Sequence, residues 1–300
     1  GLLNVVDDLT LAGTVSISAN SEIIVPTDST LVLNQTGGLS LGANTLTLSG
    51  GGNFQSVGLD LNDADSKLLL NSITVDNVST SADSSGLDVD DDSTVTSLSV
   101  AHITPVSIAN TKTLSGAITV TAGSIKLAET GTLASSISMT GGVLDADNSL
   151  TVSGTLTHTG NITIDVLTDK ALTYSGTAIN VGANTITLSG SGGSFVSGGI
   201  TLNNAQSKLL LNKITLDSAS TSANSLGLDV DESSTITSLA VGHTTPVSIK
   251  AYKSLSGSIT VTGGSIKLGE AGTLASNISM SGGTLDADNN LTLSGALTQS

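Results

Sequence analysis

The pentapeptide Gly-Leu-Asp-Val-Asp at residues 86–90 returns unchanged at 227–231. Ser-Lys-Leu-Leu-Leu-Asn at 66–71 returns at 207–212, and Thr-Pro-Val-Ser-Ile at 104–108 returns at 245–249. Gly-Val-Leu-Asp-Ala-Asp at 142–147 returns as Gly-Thr-Leu-Asp-Ala-Asp at 283–288, again at the same offset. Aligning 54–159 with 195–300 gives 72 identities in 106 positions, and residues 1–13 are a degenerate copy of 142–154. Self-similarity at a fixed period marks a repeat architecture, in which no unit can bury its apolar side alone and each relies on its neighbours. The chain therefore reads as one continuous β-solenoid segment over 1–300. Residues 1–53 hold the end of one long repeat and the start of the next; 54–194 form a long repeat; 195–300 are a second, truncated copy.

A shorter cadence runs inside the long one. It is apolar-x-apolar, a Gly/Asn/Asp turn, then apolar-x-apolar, often closed by Ser-Gly. It reads Leu-Ser-Leu-Gly-Ala-Asn-Thr-Leu-Thr-Leu-Ser-Gly at 39–50, Ile-Asn-Val-Gly-Ala-Asn-Thr-Ile-Thr-Leu-Ser-Gly at 179–190 and Leu-Asp-Ala-Asp-Asn-Asn-Leu-Thr-Leu-Ser-Gly at 285–295. Most units begin roughly 16 to 20 residues apart, and about seven of them fill one long repeat. Alternation with period 2 is the strand signal, so Ile118 and Val120 should face inward and Thr119 and Thr121 outward. These features predict an all-β, right-handed parallel β-helix of about 20 residues per coil, nested in the 141-residue repeat. Coils stacked at roughly 4.8 Å would give a rod on the order of 70 Å. The polar stretch 71–85 and its copy 212–226 read as a coil carrying a side loop. Asn44 and Asn184 read as members of asparagine ladders bonding coil to coil. Tandem β-sandwiches are the rival fold, since they too show short strands at regular spacing.

Composition agrees with a narrow core. Aromatic residues make up 1% of the chain against 38% hydrophobic overall, so Leu, Ile, Val and Ala must fill the interior. The formal charge is −16, and all nine basic residues are Lys. A nucleic-acid partner requires a basic face, which is absent, and an anionic membrane surface would repel the chain. No apolar run is long enough to cross a bilayer as a helix. With no Cys, disulfides and thiolate metal sites are excluded.

The strongest candidate sites are the recurring aspartates. Asp88 and Asp90 with Asp229 and Asp231, and Asp145 and Asp147 with Asp286 and Asp288, are candidate calcium ligands, because carboxylates at strand ends can share an ion with turn carbonyls. Turn-capping carboxylates are the plainer reading, and the Gly-Gly-x-Gly-x-Asp signature of calcium β-rolls is missing. No other cofactor is expected. The three histidines, His102, His158 and His243, lack a second ligand at metal spacing and read as surface residues. An enzyme is not expected. A glycosidase needs two carboxylates set across a sugar, a lyase needs a strong cation at its enolate-like intermediate, and the aspartates recur where an active site would be singular. Thr-x-Thr pairs at Thr45/Thr47, Thr94/Thr96, Thr119/Thr121 and Thr185/Thr187 would suit ice binding only if aligned on one flat face; β-propensity explains them otherwise.

The Leu-x-Ala-Asn-x-Leu-Thr-Leu-Ser-Gly cadence resembles the β-helical regions of repetitive bacterial surface proteins: filamentous-haemagglutinin-like adhesins, autotransporter passengers and giant exported repeat proteins. The likeness is one of pattern and covers essentially the whole chain. It implies an exported, extended β-helix serving as an extracellular fibre or cell-surface stalk, with an adhesin for glycans or partner surfaces as the alternative. The pattern starts and stops without a divergent cap, so the sequence reads as a piece of a longer array or as a subunit that stacks end to end. The expected partner is self, by end-to-end stacking or lateral association.

Overall fold

The computed structural model describes all 300 residues, which divide into two compact units, Gly1–Thr157 and His158–Ser300. Each is a parallel β-solenoid without a helix. In the first unit, one sheet takes a single strand from each of eight turns: Leu2–Asn4, Ser21–Ile24, Thr45–Ser49, Lys67–Asn71, Gly86–Val89, Ile103–Ile108, Ser124–Leu127 and Val143–Ala146. In the second, seven turns contribute Ile162–Val166, Thr185–Gly190, Lys208–Asn212, Gly227–Glu232, Thr245–Ile249, Ser265–Leu268 and Thr284–Ala287. Leu68 pairs with Leu87 in a short turn and Ile23 with Leu48 in a long one, and these registers bracket the expected length of a coil. Neighbouring strands run parallel, and the one antiparallel contact is an isolated bridge between Pro26 and Gly51.

The remainder of each turn crosses a second, bent sheet. The bend is made by one long strand in some turns and by two short ones in others. Thr74–Thr80 spans both halves, pairing through Val75 with Phe54 and through Val78 with Leu59. Ser93–Val100 and Thr113–Val120 do the same, with a register shift between Val95 and Leu98 where the strand turns the corner.

Alternation places the core. Leu68 and Leu70 point inward and are fully buried, stacked on Leu46 and Leu48 of the preceding turn and on Leu87 and Val89 of the next. Burial of each such side chain is worth roughly 1.5–3 kcal/mol, and a stack of like residues satisfies many turns with one pattern. Ile118 and Val120 are buried while Thr119 and Thr121 are exposed, as the alternation requires.

Two local expectations change. The polar stretch 71–85 carries no side loop: Thr74–Thr80 is a regular strand, with Val75, Val78 and Thr80 turned inward, and only 72–73 and 81–85 remain for the turns on either side. Thr74, Asp76 and Ser79 take the outward positions of that strand, a place polar side chains fill as readily as they fill a loop. The Asn44 and Asn184 side chains do not bond between turns either. Their amides donate within their own turn, to the carbonyls of Leu41 and Val181. Bonds between turns come from other side chains: Asn62 and Asn203 accept from the Gly42 and Gly182 N–H groups at 2.9 and 2.8 Å, and Asn20 accepts from Thr45 at 2.9 Å. The fully buried Ser66 hydroxyl donates to the Gly42 carbonyl at 2.6 Å and accepts from the Asp63 N–H at 3.0 Å; Ser207 repeats both bonds with Gly182 and Asn204 at the same distances. Each buried serine hydroxyl is thereby satisfied, as buried polar groups require.

Candidate functional site

The outward positions of the first sheet carry the recurring charges. Lys67 lies directly opposite Gly86, which has no side chain, so its ammonium leans past to Asp88, further along the same strand, at 2.7 Å. Lys208 reaches Asp229 across Gly227 in the same way, at 2.5 Å. Lys126 stands opposite Asp145, with its Nζ 3.2 Å from that carboxylate and 3.9 Å from Asp147. Diagonal and direct cross-strand pairs of opposite charge are the ordinary stabilising contacts of a sheet surface. At a corner, Lys112 meets Asp91 at 2.7 Å and Lys253 meets Glu232 at 2.6 Å, one long repeat apart.

Of the candidate calcium ligands, Asp88, Asp145, Asp147 and Asp229 thus share a lysine from the preceding turn, while Asp90, Asp231, Asp286 and Asp288 stand exposed. No three His, Asp or Glu side chains converge. A divalent ion at the paired positions would have to displace an ammonium already there. Sequence reasoning missed this pairing because the partners lie a full turn apart along the chain, where only the coil register reveals them.

His102 and His243 are exposed, the first 3.8 Å from the Asp83 carboxylate; His158 sits half-buried, its ring nitrogens each 3.0 Å from a carbonyl oxygen, of Gly160 and of Asn180. The Thr-x-Thr pairs fall on different surfaces. Thr45/Thr47 lie on the first sheet, with Leu69 next to Thr47 on the following turn, whereas Thr94/Thr96 lie on the second.

The hydrogen bond from Lys112, reinforced by one from the Asp92 N–H, holds the Asp91 carboxyl below the usual carboxylate range, and Lys253 does the same for Glu232. A carboxyl depressed in the folded state contributes stability that is present above its unfolded pKa and lost as pH falls through the folded value. The parent should therefore melt above an Asp91→Asn/Glu232→Gln variant at neutral pH, and this difference should shrink as acidification protonates the two carboxyls, vanishing only below their lowered folded-state values. The Lys112 and Asp91 side chains are 35% and 43% exposed, so the difference is small and salt-sensitive. Melting curves of both proteins across pH, read by circular dichroism, check it; a difference that grows towards acid would contradict the pairing.

Scans of the chain against protein-family models, curated proteins and solved structures returned no match in any of the three, and the all-β parallel solenoid is thus the level at which the chain is classified.

Proposed function

We propose that the chain is a structural segment of an extracellular or cell-surface fibre or stalk. The observation that carries this reading is the recurrence of its outward chemistry with the fold. Lys67–Asp88 returns as Lys208–Asp229, and Lys112–Asp91 as Lys253–Glu232. Groups that return with each repeat serve the stacking of turns, whereas catalysis needs one constellation built once. The acidic surface keeps neighbouring copies soluble and apart, and the likeness to exported bacterial repeat proteins supports a location outside the cell. Self-association is the partner this reading implies.

Electron microscopy of the native material tests it. Rods longer than the chain alone accounts for, with a meridional spacing near ~4.8 Å, are the expected result. Discrete short particles that cleave a polysaccharide would overturn the reading.

A further inference from the structure

We propose that a basic corner of the second unit, built from Lys213, Lys250 and Tyr252, docks on the acidic corner of the first unit in another copy of this chain. The inference rests on the self-associating role proposed above and names the surface through which two copies meet. Both corners lead from the first sheet into the second, and they hold the same place in the long repeat. Their chemistry does not recur. Lys213 stands where the first unit has Ser72, Lys250 where it has Ala109, and Tyr252 where it has Thr111. The exchange runs the other way at Asp92, whose counterpart is Ser233.

On the basic corner, Lys253 is taken by Glu232 at 2.6 Å, whereas Lys213 and Lys250 are exposed and have no ion-pair partner in the chain. The three ammoniums lie close enough to act together. The Glu232 carboxyl is held below its ordinary value first by the Lys253 hydrogen bond and then by the charges of Lys253, Lys250 and Lys213. Tyr252 stands among them, in the turn that the Lys253 N–H closes onto the Lys250 carbonyl at 2.9 Å. It is fully exposed, while the chain's other three aromatic side chains are buried. An aromatic ring so placed buries nothing within its own unit, and tyrosine is enriched where protein surfaces meet.

On the matching corner of the first unit the sign is inverted. Lys112 is taken by Asp91 at 2.7 Å. Asp90 and Asp92 are exposed and have no ion-pair partner; the Asp92 carboxylate accepts the Thr113 N–H at 2.8 Å. Two unpaired cations on one unit thus have their complement in two unpaired anions on the other. A hollow of about 150 Å³ opens beside Asp92, walled in part by Thr74, Thr94 and Ser115. The Thr94 and Ser115 hydroxyls do not bond to each other, as those of Thr235 and Ser256 do at 2.7 Å. They and the Asp92 carboxylate would receive the phenol O–H of Tyr252. Complementary charge fixes where two copies meet even though each carries a net charge of −16. Every copy has a corner of each sign, so the contact can pass from copy to copy.

The chain has no cysteine, so introduced thiols report the contact cleanly. One copy carries Ala251→Cys, in the basic corner, and another carries Asn110→Cys, the counterpart in the acidic corner; both positions are exposed. With a short bis-maleimide, the mixed covalent dimer should form about tenfold faster than either homodimer. Adding Lys213→Asp/Lys250→Asp to the first copy should bring the mixed rate down to that of the homodimers. Adding Asp90→Lys/Asp92→Lys to the second should then restore it. Should the loss of the Asp92 cap unfold that copy, Asp90→Lys/Asp92→Ser retains one, since Ser233 accepts the Ser254 N–H at 3.1 Å in the second unit. Against an unreversed basic corner, the Asp90→Lys/Asp92→Lys copy should react more slowly although its net negative charge is smaller; a faster reaction would mean that overall charge alone governs. A mixed rate equal to the homodimer rates, a rate unmoved by the reversals, or saturable binding of polygalacturonate to the basic corner with cross-linking at background would each overturn the proposal. Rods in the electron microscope with background cross-linking would remove this contact and leave the fibre role standing, whereas selective cross-linking without rods would do the reverse.

Discussion

Gly116→Ala should cost the protein on the order of 3–5 kcal/mol, a loss few single-methyl additions reach. Gly116 stands at the corner of Thr113–Val120, where the register with the preceding turn shifts, and its φ of +120° lies outside what an L side chain adopts without strain. Such strain alone costs about 1–3 kcal/mol. The added Cβ would also overlap the Val95 carbonyl oxygen, which is backbone in the adjacent turn and cannot swing away. Relieving the overlap means breaking the ladder between two turns. Gly257 repeats the geometry against Ile236, with the same φ of +120°. The two substitutions share no partner, so their costs should add. Gly13→Ala, where a Cβ meets open space, is the control and should change stability by less than about 0.5 kcal/mol. Chemical denaturation followed by circular dichroism measures all three; a cost below about 1 kcal/mol for Gly116→Ala would mean that the corner relaxes freely.

The solenoid was legible in the sequence for the reason that makes Gly116 rigid: each turn repeats the environment of the last. Leu68, Leu70, Leu87 and Val89 announce an inward face by simple alternation, and the long repeat carries Lys67 onto Lys208 at the same place in a first-sheet strand. What stayed hidden depends on register between turns rather than on local pattern. Thr74–Thr80 looked like a loop because its polar residues outnumber its Val, yet pairing on both sides holds it extended. Asn44 looked like a ladder residue, but its amide reaches the Leu41 carbonyl in its own turn before it can reach the next. Asp88 looked available for an ion because Lys67 is remote along the chain, although it is only one turn away in space.

Phe54→Ala should cost about 3–5 kcal/mol, the range for emptying an aromatic site in a packed core. Phe54 and Phe195 are the only phenylalanines, and both are fully buried. Phe54 is stacked between Leu31 and Val75 on the turns before and after; Phe195 is stacked between Leu172 and Leu216. The interior of a solenoid has a fixed cross-section, since hydrogen bonds to both neighbouring turns hold each strand in place. Its walls therefore cannot collapse into a void as a loosely connected core can, and the cavity term applies nearly in full. Phe54→Leu should be far milder, below about 1.5 kcal/mol, because it continues the aliphatic stack with little change in volume. The damage should also be local. Turns in a solenoid interact only with nearest neighbours, so amide hydrogen exchange in Phe54→Ala should accelerate at Leu31 and Val75 before it does at Val120, with the denaturation midpoint shifted in proportion. Equal acceleration at all three amides would show instead that the first unit opens as a single cooperative body, and that the Phe54 stack stabilises the whole of it rather than its own three turns.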